Sequence, residues 1–156
     1  MDTKKQILGG LTQAKDMFLK DIGYIPADKL DVSPMAQAKT PKAMTVECAA
    51  LFRGLTSVVG GADFKRPTPE DRAAYLAKFK TTDEAKAEFA AAADGLLAAV
   101  AAMDVAAMDR EVTAPWGAQV PLGTMLFLAI NHTSYHDGQL NYIQMLYGDN
   151  AFHWME

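Results

Sequence analysis

Residues 121–148, PLGTMLFLAINHTSYHDGQLNYIQMLYG, predict a long helix that a proline opens and a glycine closes. At helical spacing, its inward stripe consists of Met125, Leu128, His132, His136, Gln139 and Ile143. Two of the chain's three histidines therefore occupy positions where a packed helix usually places large apolar side chains. Because burying a polar group is costly unless it has a partner, both imidazoles need one.

Three further segments carry apolar residues at helical spacing, and no segment alternates as a strand would. The first long helix is predicted from about Thr3 to Ile22. The second begins at Thr40-Pro41, where a hydroxyl N-cap precedes a proline at the first helical position, and it ends at Gly60-Gly61. The third begins at Thr81, because a glutamate three residues later completes a capping box.

The connections between these helices are long. A short helix is predicted from about Pro69, and residues 104–119 are predicted to form a loop with Trp116 as an anchor. Four long amphipathic helices with wide connections predict an all-α fold, a four-helix bundle with long crossover connections. We expect residues 1–156 to form a single domain, since 156 residues can bury one substantial core.

The composition excludes several classes of protein. Half of the residues are apolar and 22% are charged, which is typical of a globular protein. A net charge of -4 offers no basic footprint for nucleic acid, and no apolar run is long enough for a membrane helix. The single cysteine, Cys48, cannot form an internal disulfide. We therefore expect a cytoplasmic protein with neither a nucleic-acid partner nor a membrane partner.

The second helix supplies a third group for the two imidazoles. At about 100° per residue, Glu47 borders the face that carries Met44, and Cys48 points inward. A carboxylate in that position is partly desolvated and needs a cation nearby. Residues four apart lie on one face of a helix, so His132 and His136 can converge on one ion.

The residues thus predict a divalent metal site formed by Glu47, His132 and His136. Two imidazoles and one carboxylate leave coordination positions open to water or substrate. The residues predicted to surround these ligands are Cys48, Tyr135 and Gln139. The chain has no Glu-x-x-His pair, no His-Glu-x-x-His motif and too few cysteines for a structural zinc site.

Each of these residues also has a purely structural interpretation, which the sequence leaves open. The two histidines can hydrogen bond to neighbouring protein groups, and Glu47 can pair with a lysine at the surface. Cys48 can be a small apolar core residue. Tyr135 and Tyr142 are expected to make ordinary packing contacts, and His153 is expected to be exposed in a short tail.

The last helix resembles that of the DinB-like family of metal-dependent bundle proteins. The resemblance lies in HTSYHDGQL, in the preceding PWGAQVPLGTMLFLAIN and in the following NYIQMLYGD. The family's His-x-x-x-His pair leading into Gly-Gln is matched by His132, His136, Gly138 and Gln139. A weaker resemblance extends from about Lys5 to Gly148.

The resemblance implies a four-helix bundle, commonly a homodimer, with three histidines that bind nickel, zinc, manganese or iron. Some members of the family are transferases or isomerases that use low-molecular-weight thiols such as bacillithiol, mycothiol or glutathione. The family's first histidine lies about seven residues after the serine or threonine that begins the second helix. Counting from Thr40 reaches Glu47, with Cys48 next, so this chain departs from the family at that ligand. Asp137 stands where many members carry a basic residue, at the expected rim of the site.

Two functions follow from these observations. The first is a metal-dependent enzyme, with a transferase or hydrolase-like activity, that transfers a thiol to small electrophiles. Its partners would be a small-molecule substrate and a low-molecular-weight thiol, and no catalytic residue is assigned beyond the ligands. The second is a non-catalytic dimeric or small-ligand-binding bundle with a degenerate metal site, which the missing first histidine favours.

Overall fold

Five α-helices dominate the computed structural model, which describes residues 2–155. They are α1 (Thr3–Asp21), α2 (Pro41–Val59), α3 (Pro69–Leu76), α4 (Thr82–Ala102) and α5 (Leu122–Leu146). Short 3-10 turns occupy Ile22–Tyr24, Ala27–Lys29, Val105–Asp109 and His153–Met155. The four long helices form the predicted bundle, so the predicted all-α fold class is confirmed.

The helix ends follow from local capping. The hydroxyl of Thr40 accepts a hydrogen bond from the Ala43 amide at the start of α2. Thr81 and Glu84 form the predicted capping box at the start of α4. Beyond the C-terminal end of α5, Gly148 adopts a φ of 94°, a conformation that favours glycine. The predicted starts and stops of the long helices are therefore correct to within a residue or two.

The long helices pack in a ring in which each one contacts two neighbours. Around the ring the order is α1, α4, α2 and α5. Helix α5 runs parallel to α1, because Gly10 approaches Ile130 and Asp21 bonds to Asn141. Helix α4 runs antiparallel to α1, and α2 runs antiparallel to α5. The connection from residue 60 to 81, which includes α3, must therefore run back along the bundle, as a crossover does.

The link between α4 and α5 differs from the prediction. It contains a two-stranded antiparallel hairpin, β1 (Glu111–Thr113) and β2 (Gln119–Pro121), in which Val112 lies opposite Val120. The expectation of no strand was wrong because a three-residue strand is too short to show alternation. Trp116 lies in the turn of this hairpin and is 61% exposed, so its expected role as an anchor is also wrong.

The core lies at the centre of the ring and is built around three phenylalanines. The rings of Phe18 and Phe89 are 4.8 Å apart, and those of Phe52 and Phe89 are 5.5 Å apart. All three side chains are completely buried, which joins α1, α2 and α4. None of the helices within residues 2–155 is both long enough and apolar enough to cross a membrane.

The C-terminal tail is fixed against the bundle, contrary to the prediction. His153 is buried, with its ring stacked on Tyr24 at a centroid distance of 3.5 Å. Its Nε2 atom lies 2.9 Å from Asp149 Oδ2. The indole of Trp154 donates a hydrogen bond of 2.7 Å to Asp21. The expected exposure of His153 was wrong because these contacts join residues distant in the sequence.

Candidate metal site

Helices α2 and α5 bring the three predicted ligands together. Glu47 Oε1 lies 3.7 Å from His132 Nε2 and 3.7 Å from His136 Nε2. The two imidazole rings are 4.7 Å apart and nearly perpendicular, as expected for residues one helical turn apart. One carboxylate and two imidazoles therefore converge on one point between the helices.

The facing ring nitrogens lack hydrogen-bond partners. Nε2 of His132 and Nε2 of His136 are both buried, and neither has a partner among the described residues. Their distances to Glu47 are beyond those of a hydrogen bond. Buried polar atoms are normally paired, so two buried ring nitrogens without partners beside a carboxylate are the arrangement expected around a cation.

Hydrogen bonds on the far side of the ring fix the orientation of His136. Its Nδ1 atom lies 2.6 Å from Gln139 Oε1, and Gln139 Nε2 donates to the Tyr135 hydroxyl at 3.0 Å. An amide oxygen can only accept a hydrogen bond, so Nδ1 carries the hydrogen and Nε2 presents its lone pair to the site. Tyr135 and Tyr142 are each 62% exposed, so the expectation of ordinary packing was wrong for both.

Glu47 is held in its ionised form. The pKa of this carboxyl is lowered to about 2. The His136 ring contributes most to the lowering, partial burial opposes it, and Lys39 lowers the pKa further. Lys39 forms an ion pair with the Oε2 atom, which leaves Oε1 directed at the histidines. The two interpretations of Glu47, as a ligand and as the partner of a lysine, therefore involve different oxygens of one side chain.

His132 is neutral at physiological pH. The pKa of its imidazole is lowered to about 4, mainly by burial and then by the neighbouring His136 ring; Glu47 raises the pKa and Lys39 lowers it. A neutral imidazole is the form that binds a metal ion. Burial thus keeps His132 in the form that can bind a metal ion at every pH near neutrality.

Cys48 lies beneath the ligand cluster. Its sulfur and the ring nitrogens of His132 and His136 lie within 4.8 Å of one another, and the residue is completely buried. Burial raises the pKa of the thiol far above its usual value, although Thr133 opposes the shift by hydrogen bonding. Cys48 is therefore a protonated core side chain that adjoins the site, consistent with its expected position around the ligands.

Asp137 does not lie at the rim of the site, where the sequence placed it. It is buried, and its carboxyl group interacts with that of Asp21 on α1. Residue 137 follows the ligand His136 directly, and 100° of helical rotation turns its side chain towards α1 instead of the opening. Burial, followed by the charge of Asp21, raises the pKa of this carboxyl.

The residues present fit a divalent ion. A charged carboxylate and two imidazoles with unpartnered ring nitrogens offer the three donors that a catalytic site requires, and the Cys48 thiol adjoins them. The positions that these side chains do not fill remain open to water or a small molecule. The structure thus brings the three predicted ligands together and places Cys48, Tyr135 and Gln139 around them.

Two cavities reach the cluster from different ends. One, of about 600 Å³, includes His136 and Lys39 and is otherwise largely apolar. The other, of about 630 Å³, includes Glu47 and His132 and carries several basic residues. The sequence analysis missed Lys39 and these basic residues, although Lys39 directly precedes the N-cap of α2 and could have been recognised as close to Glu47.

Comparison with protein families identifies the chain. A family model described as the DinB superfamily matches residues 10–140. The chain belongs to the DinB superfamily. No curated protein matches the sequence significantly. The resemblance carried by the last helix is therefore confirmed at the level of the family.

Solved structures show the same DinB fold at low sequence identity. A mutant of mycothiol-dependent maleylpyruvate isomerase has a TM-score of 0.75 at 14% identity and covers 88% of this chain. The chain spans only 60% of the length of that isomerase. A conserved protein from Enterococcus faecalis has a TM-score of 0.73 at 15% identity, with 94% of this chain and 97% of that one covered. A DinB-like protein from Bacillus subtilis has a TM-score of 0.70 at 15% identity, with 96% of both chains covered.

Proposed function

We propose that this DinB protein is a metal-dependent enzyme that transfers a low-molecular-weight thiol to a small electrophile. The observation that carries the proposal is the pair of buried, unpartnered Nε2 atoms that face one oxygen of Glu47. The thiol dependence of the structurally similar isomerase supports the choice of reaction. Glu47, His132 and His136 are the proposed ligands.

The chain's own residues have distinct roles in this proposal. Gln139 holds His136 in the tautomer that faces the site, and burial keeps His132 uncharged. A bound divalent ion lowers the pKa of a thiol that coordinates it, so that the thiol loses its proton near neutral pH. The thiolate sulfur would then form a bond to an electrophilic carbon of the second substrate while the bond from that carbon to its leaving group breaks; the leaving group would depart with the electron pair, and the thiol proton would pass to solvent. The cavity that includes Glu47 and His132 gives the substrates access to the site.

The ligand set bears on the identity of the metal. A carboxylate is a harder ligand than the imidazole that the family normally has at this position. Glu47 therefore favours the harder ions of the family, such as manganese and iron, more than a third imidazole would. The buried Cys48 thiol does not reverse this preference while it remains protonated.

Metal analysis of untagged protein tests the proposal. We expect about one equivalent of a divalent ion in the wild type, and a lower melting temperature after chelation, because ligand binding stabilises the folded state. His132→Ala and His136→Ala should lose the ion and the effect of the chelator. No stoichiometric ion, together with a melting temperature that added metal leaves unchanged, would refute the proposal.

A non-catalytic ligand-binding bundle is the second candidate. The ion pair between Lys39 and Glu47 favours it, because Lys39 already supplies a cation to the carboxylate. Under this alternative, Lys39→Met would destabilise the protein by leaving Glu47 unpaired, and metal would not restore its stability. Under the enzyme proposal, the same variant keeps metal binding, since Lys39 contacts the oxygen that faces away from the histidines.

We also propose a homodimer formed by a single domain in the cytoplasm. The outer face of α5 exposes large apolar side chains, including Phe127, Tyr135, Tyr142 and Met145. At about 100° per residue these four side chains lie within an arc of about 80°, so one flat partner surface can cover them together. Such a surface is suited to pack against a second copy of α5.

A further inference from the structure

The cavity that includes His132 concentrates basic side chains beside the proposed metal site. It lies between α2, the segment that contains α3, and the first half of α5. Glu47 and His132 line the end of the cavity at the metal site. The basic residues that line it are Arg53, Lys65, Arg66 and Arg72.

Three of these four cations, Lys65, Arg66 and Arg72, have no ion-pair partner within residues 2–155. Arg53 is neutralised by Glu88, which accepts hydrogen bonds from Nε at 2.8 Å and from a terminal guanidinium nitrogen at 3.1 Å. Lys65 and Arg66, by contrast, form no ion pair with any residue from 2 to 155. They are exposed, so both charges are available to a ligand that enters the cavity.

The remaining charged groups leave the cavity positive. Arg72 donates to the Pro67 carbonyl at 2.9 Å, which satisfies one N–H but neutralises no charge. The Asp71 carboxylate accepts from the Thr68 amide at 2.9 Å in the capping box of α3. The cavity thus has more uncompensated positive than negative charge, in a chain whose net charge is -4. A concave site that is positive in a protein of negative net charge attracts an anion.

We infer that this cavity binds the carboxylate of a small-molecule substrate, with Arg66 and Lys65 as its recognition groups. The inference rests on the proposed metal-dependent function. A guanidinium group binds a carboxylate through two parallel hydrogen bonds, and an ammonium group adds a point charge. The apolar residues Leu51, Phe64 and Leu128 line the same cavity and suit the carbon skeleton of the ligand. The carboxylate can belong to the thiol or to the electrophile.

Calorimetric titration with succinate tests the inference in chelator-treated protein, so that the result does not depend on the metal. We expect wild type to bind succinate at least about tenfold more tightly than neutral succinamide, because each charge-assisted hydrogen bond adds affinity. Lys65→Gln/Arg66→Gln should weaken succinate binding at least about tenfold, and Arg66→Lys should weaken it less. Lys5→Gln/Lys80→Gln, which removes two charges outside the cavity, should leave binding unchanged.

Equal succinate binding by wild type and Lys65→Gln/Arg66→Gln, or no preference for succinate over succinamide, would overturn the inference. Metal content, measured separately, tests the proposed function, and we expect Lys65→Gln/Arg66→Gln to retain wild-type metal content. Glutathione and 2-mercaptoethanol distinguish the two sources of the carboxylate. If glutathione displaces succinate and 2-mercaptoethanol does not, the recognised carboxylate belongs to the thiol. If neither thiol displaces succinate, the carboxylate belongs to the electrophile. Either result supports recognition of a carboxylate.

Discussion

At the scale of single residues, the site depends on which ring nitrogen of His136 carries the hydrogen. Gln139 sets this choice through its 2.6 Å contact with Nδ1, and the Tyr135 hydroxyl in turn orients the amide. A ligand that can rotate or change tautomer binds a metal more weakly. We therefore expect the hydrogen bonds of Gln139 and Tyr135 outside the site to control the metal affinity inside it.

Gln139→Leu should weaken metal binding by about 10- to 100-fold, since the replacement cannot accept the Nδ1 hydrogen. The measurement is competition for zinc with a chromogenic chelator. Tyr135→Phe removes only the outer partner of the chain, so its effect should be smaller. If Gln139→Leu binds zinc as tightly as wild type does, the contact between Gln139 and Nδ1 does not orient the His136 ring.

Glu47 and Cys48 compete for the role of third ligand, and we predict that Glu47 fills it. Burial holds the Cys48 thiol protonated, whereas Glu47 is already ionised. In cobalt-substituted protein we expect no sulfur-to-cobalt charge-transfer absorption. Glu47→Gln should lose most of its metal affinity and Cys48→Ala should keep it. The reverse order of affinities, with a charge-transfer band, would make Cys48 the ligand.

At the scale of helices, α1 and α5 share a buried acidic pair. Oδ1 of Asp21 and Oδ1 of Asp137 are buried and have no donor among residues 2–155, while Asn141 and Trp154 donate to the other oxygen of Asp21. Two carboxylates in contact repel each other unless one retains a proton. The pair joins the C-terminal end of α1 to α5, and the pKa of the Asp137 carboxyl is raised there by burial and by Asp21.

Asp137→Asn should therefore stabilise metal-free protein at pH 7 by on the order of 1–2 kcal/mol. Because the pKa of Asp137 is raised in the folded state, the unfolded chain loses its proton first and wild-type stability falls as pH rises above about 4. The gain should disappear near pH 3, below the ordinary pKa of an aspartate, where the carboxyl is protonated in both states. Urea unfolding at the two pH values measures this difference, with Asp63→Asn as the exposed control. A gain that is the same at both pH values would exclude a shared proton as its cause.

Helix boundaries and the ligand face could be predicted because they are local properties. Thr40, Thr81 and the two histidines act within one or two turns of their own helix, and the sequence shows those relationships directly. The burial of His153 could not be predicted, since it depends on Tyr24. The direction of Asp137 depends likewise on where α1 packs. Contacts between distant segments were the part that the sequence pattern could not supply.

At the scale of the whole molecule, the crossover between α2 and α4 leaves α2 beside α5. Because α2 and α5 are neighbours, Glu47 lies opposite the two histidines. Helices α1 and α4 form the other half of the ring. The outer face of α5 remains uncovered. It carries exposed tyrosine, phenylalanine and methionine side chains over its whole length.

Light scattering after gel filtration should show a dimer that depends on this outer face. Met145→Glu places a charge within the apolar surface, so we expect a shift to monomer. Val105→Glu changes a side chain of similar exposure in the 3-10 turn Val105–Asp109, outside the apolar row of α5, and should leave the dimer intact. A wild-type protein that remains a monomer at high concentration would refute the proposed dimer.

Anomalous diffraction from crystals grown with manganese or zinc tests the metal site most directly. We predict one anomalous peak at coordination distance from Glu47 Oε1 and from the Nε2 atoms of both His132 and His136. The peak should be absent in His136→Ala crystals grown under the same conditions. No peak between α2 and α5, with both rings bonded only to protein atoms or water, would contradict the assignment of this bundle as a metal-dependent enzyme.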